Sequence, residues 1–541
     1  MAPCFDCPMR NLIIHGHFYQ PPRENPWTEI IEAEPSAAPF HDWNERIHSE
    51  CYGPNAFASI VDPATGERRI VNNYANISFN FGPTLLSWLE QNHSETYQRI
   101  LDADRLSASR RGGHGNAIAQ AYGHAILPLC NERDRRTQIG WGIADFRQRF
   151  GRAPEALWLP ETACSDQVIG ALIDEGLRFV ILAPHQAARI RARYRTGSGP
   201  GSPREHLAWG VGCDRVEYAD WCSVDENSVD TAVAYRYSHH DGSGRSIAIF
   251  FYDGPISRAI AFENLLKSSR EFVDRFASLS ARELVNVATD GETYGHHFKF
   301  GDICLAHALE VEAPARGFRI TNYAEYLDEH PPAYEVEINN GPQGEGTSWS
   351  CLHGVSRWIR DCGCHTGGEP GWNQRWRTPL RAALDFLRDE NAVHFEATRG
   401  ELFLDPWQAR DDSISLVLDP DQLREQFLRD HAGRQLAMDE LWRALTYLEL
   451  QRMLLLMYTS CGWFFNDISG IETIQILKYA GRAIDLMAQL GLPPVRERFL
   501  EILAQAKSNR PAMGTGADIY RQFVEPLKPD HANEETLASG V

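Results

Sequence analysis

The sequence lacks the features of a secreted or membrane-inserted protein. A signal peptide needs an apolar core of about 7–15 residues, and the first apolar run of this chain is only Leu12-Ile13-Ile14. The longest apolar run, Met453 to Tyr458, is far shorter than the roughly 20 residues of a membrane span. Its 12 cysteines are irregularly spaced, so without an export signal we expect most of them to be reduced. These absences predict a cytoplasmic protein without a membrane partner.

Positive charge is also scarce. The chain has 53 Lys and Arg against 73 Asp and Glu, which gives a net charge of −20, and it has no long basic run. A nucleic-acid partner needs a basic surface, so we expect none. An uncharged sugar polymer suits this acidic chain better, because the faces of its 14 Trp can stack on pyranose rings. The sequence shows no internal repeat and no pattern that specifies an oligomeric state.

The length of 541 residues exceeds one ordinary core and predicts two or three domains. Strand-like and helix-like segments alternate up to about residue 335, which is typical of parallel strands with helical crossovers. The residues with catalytic potential follow strands, which favours a barrel over an open sheet. The predicted strands are Asn11–Ile14, Ala156–Leu159, Arg178–Leu182, Ser246–Phe251 and Leu284–Ala288, and the predicted helices are 133–150 and Asp166–Asp174.

Beyond a hinge-like connection at Asn339–Gly346, the hydrophobic period becomes 3.6. Leu380, Leu384 and Leu387 mark one helix, and a second, with Leu441, Leu445 and Leu448, could be capped by Asp439; a third runs from Ile474 to Leu490 and ends at Gly491 and Pro493. We therefore predict an α/β fold class with a barrel domain at 1–340, an α-helical bundle domain at 341–528 and a flexible tail at 529–541. The Gly/Pro/Ser-rich segment Thr196–Arg204 is predicted to be a surface loop.

Two short motifs place a carboxylate directly after a strand-like run. They are Trp158-Leu159-Pro160-Glu161 and the segment from Asp290 to His297, which also contains Glu292. In α/β proteins, catalytic side chains gather at the ends of strands. Two carboxylates from distant strands are the minimal equipment for cleaving or transferring a glycosidic bond. The alternative interpretation is that both are ordinary carboxylates of surface loops.

Two histidines offer a choice between sugar binding and metal binding. His15 and His17 can face one side of a strand end, where neutral rings could donate hydrogen bonds to sugar hydroxyls. Metal-dependent barrels such as the polysaccharide deacetylases use His pairs four apart on a helix, and no two of the 20 His here have that spacing. We therefore predict no catalytic metal and no cofactor.

A small cysteine cluster offers a second candidate metal site. Cys362 and Cys364 with His365 could bind zinc, but the set needs a fourth ligand, which Cys4 or Cys7 would have to supply across the whole chain. Buried or loop thiols are the simpler interpretation.

Five motifs in order resemble those of glycoside hydrolase family 57. The match covers about residues 11–470. The motifs are His15-Gly16-His17-Phe18-Tyr19-Gln20-Pro21; Gly115-Asn116 with Tyr122, His124 and Ile126-Leu127-Pro128-Leu129; Trp158-Leu159-Pro160-Glu161; Asp290-Gly291-Glu292-Thr293-Tyr294-Gly295-His296-His297; and Gly462-Trp463-Phe464-Phe465.

The resemblance implies a (β/α)7 barrel followed by a helical domain, and a retaining mechanism on α-glucans or maltooligosaccharides. It makes Glu161 the nucleophile and Asp290 the acid/base, an assignment that residue type alone does not make. The chain departs from the best-studied members by the insertion of Phe18 and Tyr19 and by the lack of the strand-rich C-terminal extension of the glucanotransferase-like members. Its Cys362-Gly363-Cys364-His365 and Trp372-Asn373-Gln374-Arg375-Trp376 look like a poorly characterised subgroup.

Further residues are predicted to contact substrate. Glu292 has a supporting or substrate role, Asp253 either touches substrate or caps a loop, and Trp463 is either a sugar platform or bundle core. Trp221 is a weaker candidate for a sugar platform. The full predicted substrate set is His15, His17, Gln20, Asn116, His124, Trp158, Trp221, Asp253, Glu292, His297 and Trp463.

The sequence thus predicts a glycoside hydrolase or transglycosylase that works through a glycosyl-enzyme intermediate. A glucan branching enzyme or 4-α-glucanotransferase is an alternative, which differs in excluding water from the second step. A non-catalytic carbohydrate-binding protein is another, and a metal-dependent deacetylase-like or mannosidase-like enzyme is the last.

Overall fold

The computed structural model describes residues 9–61, 65–195, 216–279 and 282–527, which form two compact units. Unit 1 comprises Met1–Gln20, Trp43–Ala121 and Phe146–Ser350, and unit 2 comprises Pro21–Asp42, Tyr122–Asp145 and Cys351–Val541. Compared with the predicted boundary at 340, unit 1 extends ten residues further, and two N-terminal segments join unit 2. The predicted loop Thr196–Arg204, the predicted tail at 529–541 and the residues Cys4 and Cys7 lie outside the described residues.

Unit 1 is built around seven parallel strands, five of which overlap the predicted ones; the strands at Leu157–Trp158 and Phe179–Leu182 are shorter than predicted. In chain order, the seven strands are β1 (Arg10–Phe18), β2 (Ser78–Phe81), β3 (Ala119–Gln120), β4 (Leu157–Trp158), β5 (Phe179–Leu182), β6 (Ser246–Phe251) and β7 (Leu284–Asp290).

These seven strands close into a barrel in chain order. β1 lies between β7 and β2, and His17 of β1 is the register partner of Asp290 at the end of β7. Parallel ladders or single bridges continue through β3, β4 and β5 to β6. The barrel closes where the backbone N–H of Asp253, just after β6, donates to the carbonyl of Asn286 in β7 at 2.8 Å. The predicted (β/α)7 barrel is therefore confirmed.

The remaining strands of unit 1 decorate this barrel. Phe318–Ile320 pairs with the start of β1, and Ala58–Val61 forms a hairpin with Arg68–Val71. An antiparallel extension beside β6 contains Ala187–Arg195, Val216–Tyr218, Cys222–Ser223, Ala234–Ser238 and Tyr334–Ile338, of which only the last two pair with each other in parallel. The longer helices are Pro83–Asn92, Ser94–Arg110, Asp166–Asp174, Gly254–Phe262, Ser269–Ala277, Gly301–His307 and Tyr323–Glu329.

Apolar side chains fill the barrel interior. Ile13, Trp158, Phe250, Ala288 and Tyr323 belong to one buried cluster, although they come from five distant parts of the chain. Fully burying a large apolar side chain contributes about 1.5–3 kcal/mol, so this cluster fixes the strands against each other. As a result, the residues that follow β4 and β7 have well-defined positions.

Unit 2 is helical, as predicted. Leu380, Leu384 and Leu387 are buried on one face of their helix, and Gly491 takes a φ of +70° at the predicted helix exit. The proposed cap was misplaced: Met438–Leu456 begins after Ala437, whose N–H donates to the Glu440 carboxylate at 2.8 Å. The helices are Glu132–Phe150, which continues into unit 1, Arg377–Glu396, Pro406–Asp412, Ile414–Leu418, Pro420–Ala432, Met438–Leu456, Cys461–Phe464, Ile471–Gln489, Arg496–Leu503 and Gly516–Phe523. Among the described residues, none of the helices combines the length and apolar character needed to cross a bilayer.

Candidate active site

Glu161 lies on a strained turn that follows β4. Its φ is +59° and that of Thr162 is +48°, a left-handed conformation that costs about 1–3 kcal/mol for residues other than glycine. A residue outside the turn stabilises it: the buried side-chain amide of Gln186 donates a hydrogen bond to the carbonyl of Thr162 at 2.8 Å. The same amide also donates to the carbonyl of Thr347 at 3.2 Å. Strain that is maintained in this way is typical of active sites.

Two residues that the sequence analysis missed hold the Glu161 carboxylate. Its Oε2 accepts hydrogen bonds from the indole Nε1 of Trp349 at 3.0 Å and from the hydroxyl of Ser350 at 2.6 Å. The backbone N–H of Trp349 also donates to the backbone carbonyl of Glu161 at 3.0 Å. Hydrogen bonds to a carboxylate are short and directional, so they orient this side chain. The sequence signal that could have identified them is the Trp-Ser pair shortly after the Gly-rich connection at Asn339–Gly346. That connection was predicted to be a hinge but lies within unit 1.

Asp290 ends β7 beside His17, where its side chain is accessible to solvent. The surrounding protein nevertheless desolvates the carboxyl, and together with repulsion from Glu161 this raises its pKa to about 7. The structure thus brings the two predicted catalytic carboxylates near enough for their charges to interact. A carboxyl with a pKa near neutrality can both hold and release a proton at pH 7, as a general acid/base must.

Glu292 is buried close enough to Asp290 for their charges to interact. Its buried Oε1 accepts hydrogen bonds from the hydroxyl of Tyr52 at 2.6 Å and from the N–H of Tyr19 at 3.1 Å. Burial raises the pKa of Glu292 to about 8, and the charge of Asp290 adds to the shift. The inserted Phe18-Tyr19 contacts this region: the backbone N–H of Tyr19 binds Glu292, and the Phe18 ring lies where a Cβ on Gly291 would overlap it.

The two histidines of β1 share one face, as predicted. The rings of His15 and His17 stack on Trp158 at centroid distances of 4.7 and 5.0 Å. Burial lowers the pKa of both to about 3, so both are neutral. Asn80 connects them, since its Oδ1 lies 3.1 Å from His15 Nε2 and its Nδ2 lies 2.9 Å from His17 Nδ1. With the amide donating to Nδ1, His17 carries its proton on Nε2 and can act as a hydrogen-bond donor.

His15 itself does not reach substrate. Its exposed fraction is 0%, and its ring nitrogens are bonded to Ser78 and Asn80. The predicted sugar contact is therefore wrong for His15, which positions His17 instead. The same bonds leave the ring without a lone pair for a metal ion.

Three more predicted substrate residues of unit 1 prove to be structural. Asn116 is buried and bonded to Tyr74 and Asn322. Trp158 is 1% exposed and forms the wall behind the histidines. Asp253 uses both oxygens, one to cap the helix at the N–H of Ile256 and one to bind Arg282 at 2.9 Å. Substrate contact is wrong for these three residues, because the side-chain polar atoms of Asn116 and Asp253 are bonded to protein and Trp158 is buried.

Two predicted substrate residues belong to the interior of unit 2. His124 is buried, and its Nδ1 lies 2.7 Å from the hydroxyl of Ser460. Trp463 has an exposed fraction of 0%, and its indole N–H donates to the carbonyl of Arg377 at 3.4 Å. A sugar platform needs an open ring face, so this prediction is wrong for Trp463, and the bundle-core alternative is correct.

Three predicted residues stay candidates. Gln20 follows β1 and is partly exposed, and His297 is exposed beyond the end of β7. Trp221 lies on the antiparallel extension, where its half-buried ring faces the guanidinium groups of Arg189 and Arg191.

Comparison with known proteins gives a family assignment. A model of glycosyl hydrolase family 57 matches residues 22–339, and a model described as a domain of unknown function (DUF3536) matches residues 372–533. Alpha-amylase 1 of Dictyoglomus thermophilum is 26% identical over 222 residues, which cover 40% of this chain and 26% of that protein. The chain thus spans about a quarter of this curated relative.

Solved structures share the fold at low sequence identity. An exo-type maltose-forming amylase from Pyrococcus sp. ST04 superposes with a TM-score of 0.62 at 14% identity, covering 91% of this chain and 82% of that one. A GH57-type branching enzyme from Pyrococcus horikoshii superposes with a TM-score of 0.52 at 14% identity, covering 96% of this chain and 97% of that one. Both likenesses concern the fold alone.

Proposed function

Because the chain belongs to glycosyl hydrolase family 57, we propose that it is a retaining glycoside hydrolase or transglycosylase, with Glu161 as nucleophile and Asp290 as acid/base. The observation that carries the proposal is the contrast between the two carboxyl groups. Hydrogen bonds from Trp349 and Ser350 orient Glu161, whereas desolvation and Glu161 raise the pKa of Asp290 to about 7. Such a contrast separates a nucleophile from a proton donor.

The reaction has two steps. First, Glu161 attacks the anomeric carbon while protonated Asp290 gives its proton to the glycosidic oxygen, so that the C–O bond breaks and the leaving chain departs as an alcohol. In the second step, the Asp290 carboxylate takes a proton from water or from a sugar hydroxyl, whose oxygen attacks the anomeric carbon and displaces Glu161. Net retention follows from two inversions. His17 donates from Nε2 to a hydroxyl of the bound sugar ring.

The substrate class proposed is an α-glucan or maltooligosaccharide. The matched relatives are named as an alpha-amylase, a maltose-forming amylase and a branching enzyme, which supports this class. Hydrolysis and transfer share the first step and differ in the acceptor of the second. A branching enzyme or 4-α-glucanotransferase therefore stays the main alternative.

The experiment that tests the function is a product profile. Wild-type protein and Glu161→Gln are incubated with maltoheptaose, amylose and glycogen, and the products are resolved by chain length, linkage and anomeric form. Shorter α-anomeric products indicate hydrolysis, longer linear products indicate transfer, and new 1,6 linkages indicate branching. Binding without turnover in the wild type would favour the carbohydrate-binding alternative, and release of acetate from an acetylated glycan would favour the deacetylase-like one.

We further propose the cytoplasm as the site of action. None of the cysteines for which the structure gives a state is in a disulfide, and Cys222 among them is exposed. Exposed thiols persist in reducing compartments. Fractionation of the source cells, with a periplasmic marker as control, would test this location.

A further inference from the structure

Four metal-binding side chains of unit 2 converge on one point. They are Cys351, His353, Cys362 and Cys364, and their ligand atoms all lie within 4.8 Å of one another. The sequence analysis considered Cys362 and Cys364 with the adjacent His365, for which only Cys4 or Cys7 offered a fourth ligand. The structure instead brings in Cys351 and His353 from eleven residues upstream. In the part of the chain that the structure describes, these four side chains are the one group of His, Cys, Asp or Glu residues close enough together to hold a metal ion.

The distances agree with a single tetrahedral ion. Zinc–sulfur bonds of about 2.3 Å and zinc–nitrogen bonds of about 2.05 Å place two sulfur ligands about 3.8 Å apart, and sulfur and nitrogen about 3.6 Å apart. The Sγ of Cys351 lies 3.9 Å from that of Cys362 and 3.8 Å from that of Cys364. His353 Nδ1 lies 3.4 Å from Cys364 Sγ. These three distances match one zinc ion, and the other three pairs of ligand atoms lie within 4.8 Å of each other.

The surroundings also suit bound zinc. Three thiolates and a neutral imidazole give a zinc site a net charge of −1, and the buried side chain of Arg377 supplies a nearby positive charge. Its Nη1 donates to the carbonyl of Cys364 at 3.2 Å. Such supporting bonds orient the ligands of metal sites. His353 is exposed and Cys351 is buried, so the ion would enter from the surface.

We propose that Cys351, His353, Cys362 and Cys364 form a structural zinc site with no role in proton transfer. All four corners are protein ligands, which is the composition of closed structural sites rather than of catalytic ones with an open position. An iron–sulfur cluster fits less well, because its thiolates bind different iron atoms and would lie farther apart. A Cys351–Cys362 disulfide would explain one distance but neither Cys364 nor His353.

The site has a consequence for the catalytic carboxylate. Cys351 directly follows Ser350, whose hydroxyl binds Glu161. An ion that fixes Cys351 therefore anchors the end of the segment that orients Glu161.

The test is the metal content of the full-length protein, purified without chelators and quantified by inductively coupled plasma mass spectrometry. We expect about one zinc per chain in the wild type, and less than a tenth of that in Cys364→Ser and Cys362→Ser. His353→Ala, a change at an exposed position, should bind zinc at least about 10-fold more weakly. His365→Ala is the matched control and should keep the full zinc content, since its ring instead accepts from the N–H of Gly367.

Cobalt exchange gives a second measurement that does not depend on the variants. Wild-type protein loaded with Co²⁺ should show the visible absorption of tetrahedral cobalt and the near-ultraviolet charge-transfer band of cobalt–thiolate bonds. A wild-type protein without zinc that also fails to take up cobalt would overturn the proposal, as would iron in place of zinc. Equal loss of zinc from His365→Ala and His353→Ala would overturn this ligand set.

Discussion

The hydroxyl of Ser350 donates a 2.6 Å hydrogen bond to Oε2 of Glu161, across 189 residues of sequence. The neighbouring Trp349 donates to the same oxygen at 3.0 Å. The proposed nucleophile is thus oriented by a segment that the chain reaches only after completing the barrel. This dependence makes the segment a direct target for testing the mechanism.

Removing the Ser350 hydroxyl should slow the chemical step. A hydrogen bond to a charged group contributes about 1.5–3 kcal/mol, and about 1.4 kcal/mol corresponds to a tenfold change in rate. We expect Ser350→Ala to lower kcat about 10- to 100-fold with little change in KM, because the bond orients the nucleophile and not the ground-state sugar. Ser350→Thr, which keeps the hydroxyl, is the control. Equal losses in both variants would point to a packing role instead.

The acid/base role of Asp290 predicts a specific pH dependence. The carboxyl must be protonated to assist the leaving group, and its pKa is raised to about 7. We therefore expect kcat/KM for maltoheptaose to fall as the pH rises through about 7. A profile that stays flat well into the alkaline range would argue against this role.

A leaving-group comparison tests Asp290 independently. Asp290→Asn cannot donate a proton, so it should lose most activity on maltooligosaccharides. A glucosyl fluoride needs no proton to leave, so its cleavage should be far less affected. The control is Asp253→Asn, a change at a helix cap, which should affect both substrates alike. If Asp290→Asn also slows both substrates equally, Asp290 does not act as the acid.

Buried Glu292 predicts how stability depends on pH. Its folded-state pKa of about 8 exceeds the ordinary 4.5, so the folded protein holds the proton more tightly than the unfolded chain. This stabilisation is complete below about pH 4.5 and is lost as the pH rises through about 8. Glu292→Gln keeps an acceptor oxygen for Tyr52 and cannot ionise. The melting temperature of this variant should therefore rise relative to that of the wild type as the pH increases through about 8. The exposed Glu226→Gln should show no such gain, and a constant difference for Glu292→Gln would contradict the prediction.

Trp463 should affect stability and not affinity. Its ring is fully buried, stacked on Tyr458 at 6.3 Å. Truncating such a side chain costs about 3–5 kcal/mol. Denaturant unfolding of Trp463→Ala should show a loss of this size, while the folded fraction binds maltoheptaose as the wild type does. Weaker binding at unchanged stability would restore the sugar-platform interpretation.

The strand-end positions of the two proposed catalytic carboxylates and a barrel rather than an open sheet could be predicted from local patterns, whereas the number of seven strands came from the family resemblance. Strand-type runs placed Glu161 and Asp290 at strand ends, and alternation along β1 placed His15 and His17 on one face. These inferences need only the two-residue period of a strand and the rule that parallel strands align their ends.

Contacts between distant segments could not be predicted in this way. Nothing local to Ser350 shows that it meets Glu161, and nothing local to His353 shows that it meets Cys364. Burial was the other limit. Indole and imidazole rings can bind sugars when they are exposed. Only the packing around Trp463 and His15 shows that these two rings are buried and that no sugar reaches them.

The central claim is that Glu161 forms a covalent bond with the substrate. A glucosyl donor that carries fluorine beside the anomeric carbon and a good leaving group should react in the first step and stall in the second. Mass spectrometry of the digested wild-type protein should find the added sugar on the peptide that contains Glu161, and Glu161→Gln should remain unlabelled. A label on any other residue, or normal turnover of maltoheptaose by Glu161→Gln, would contradict the account.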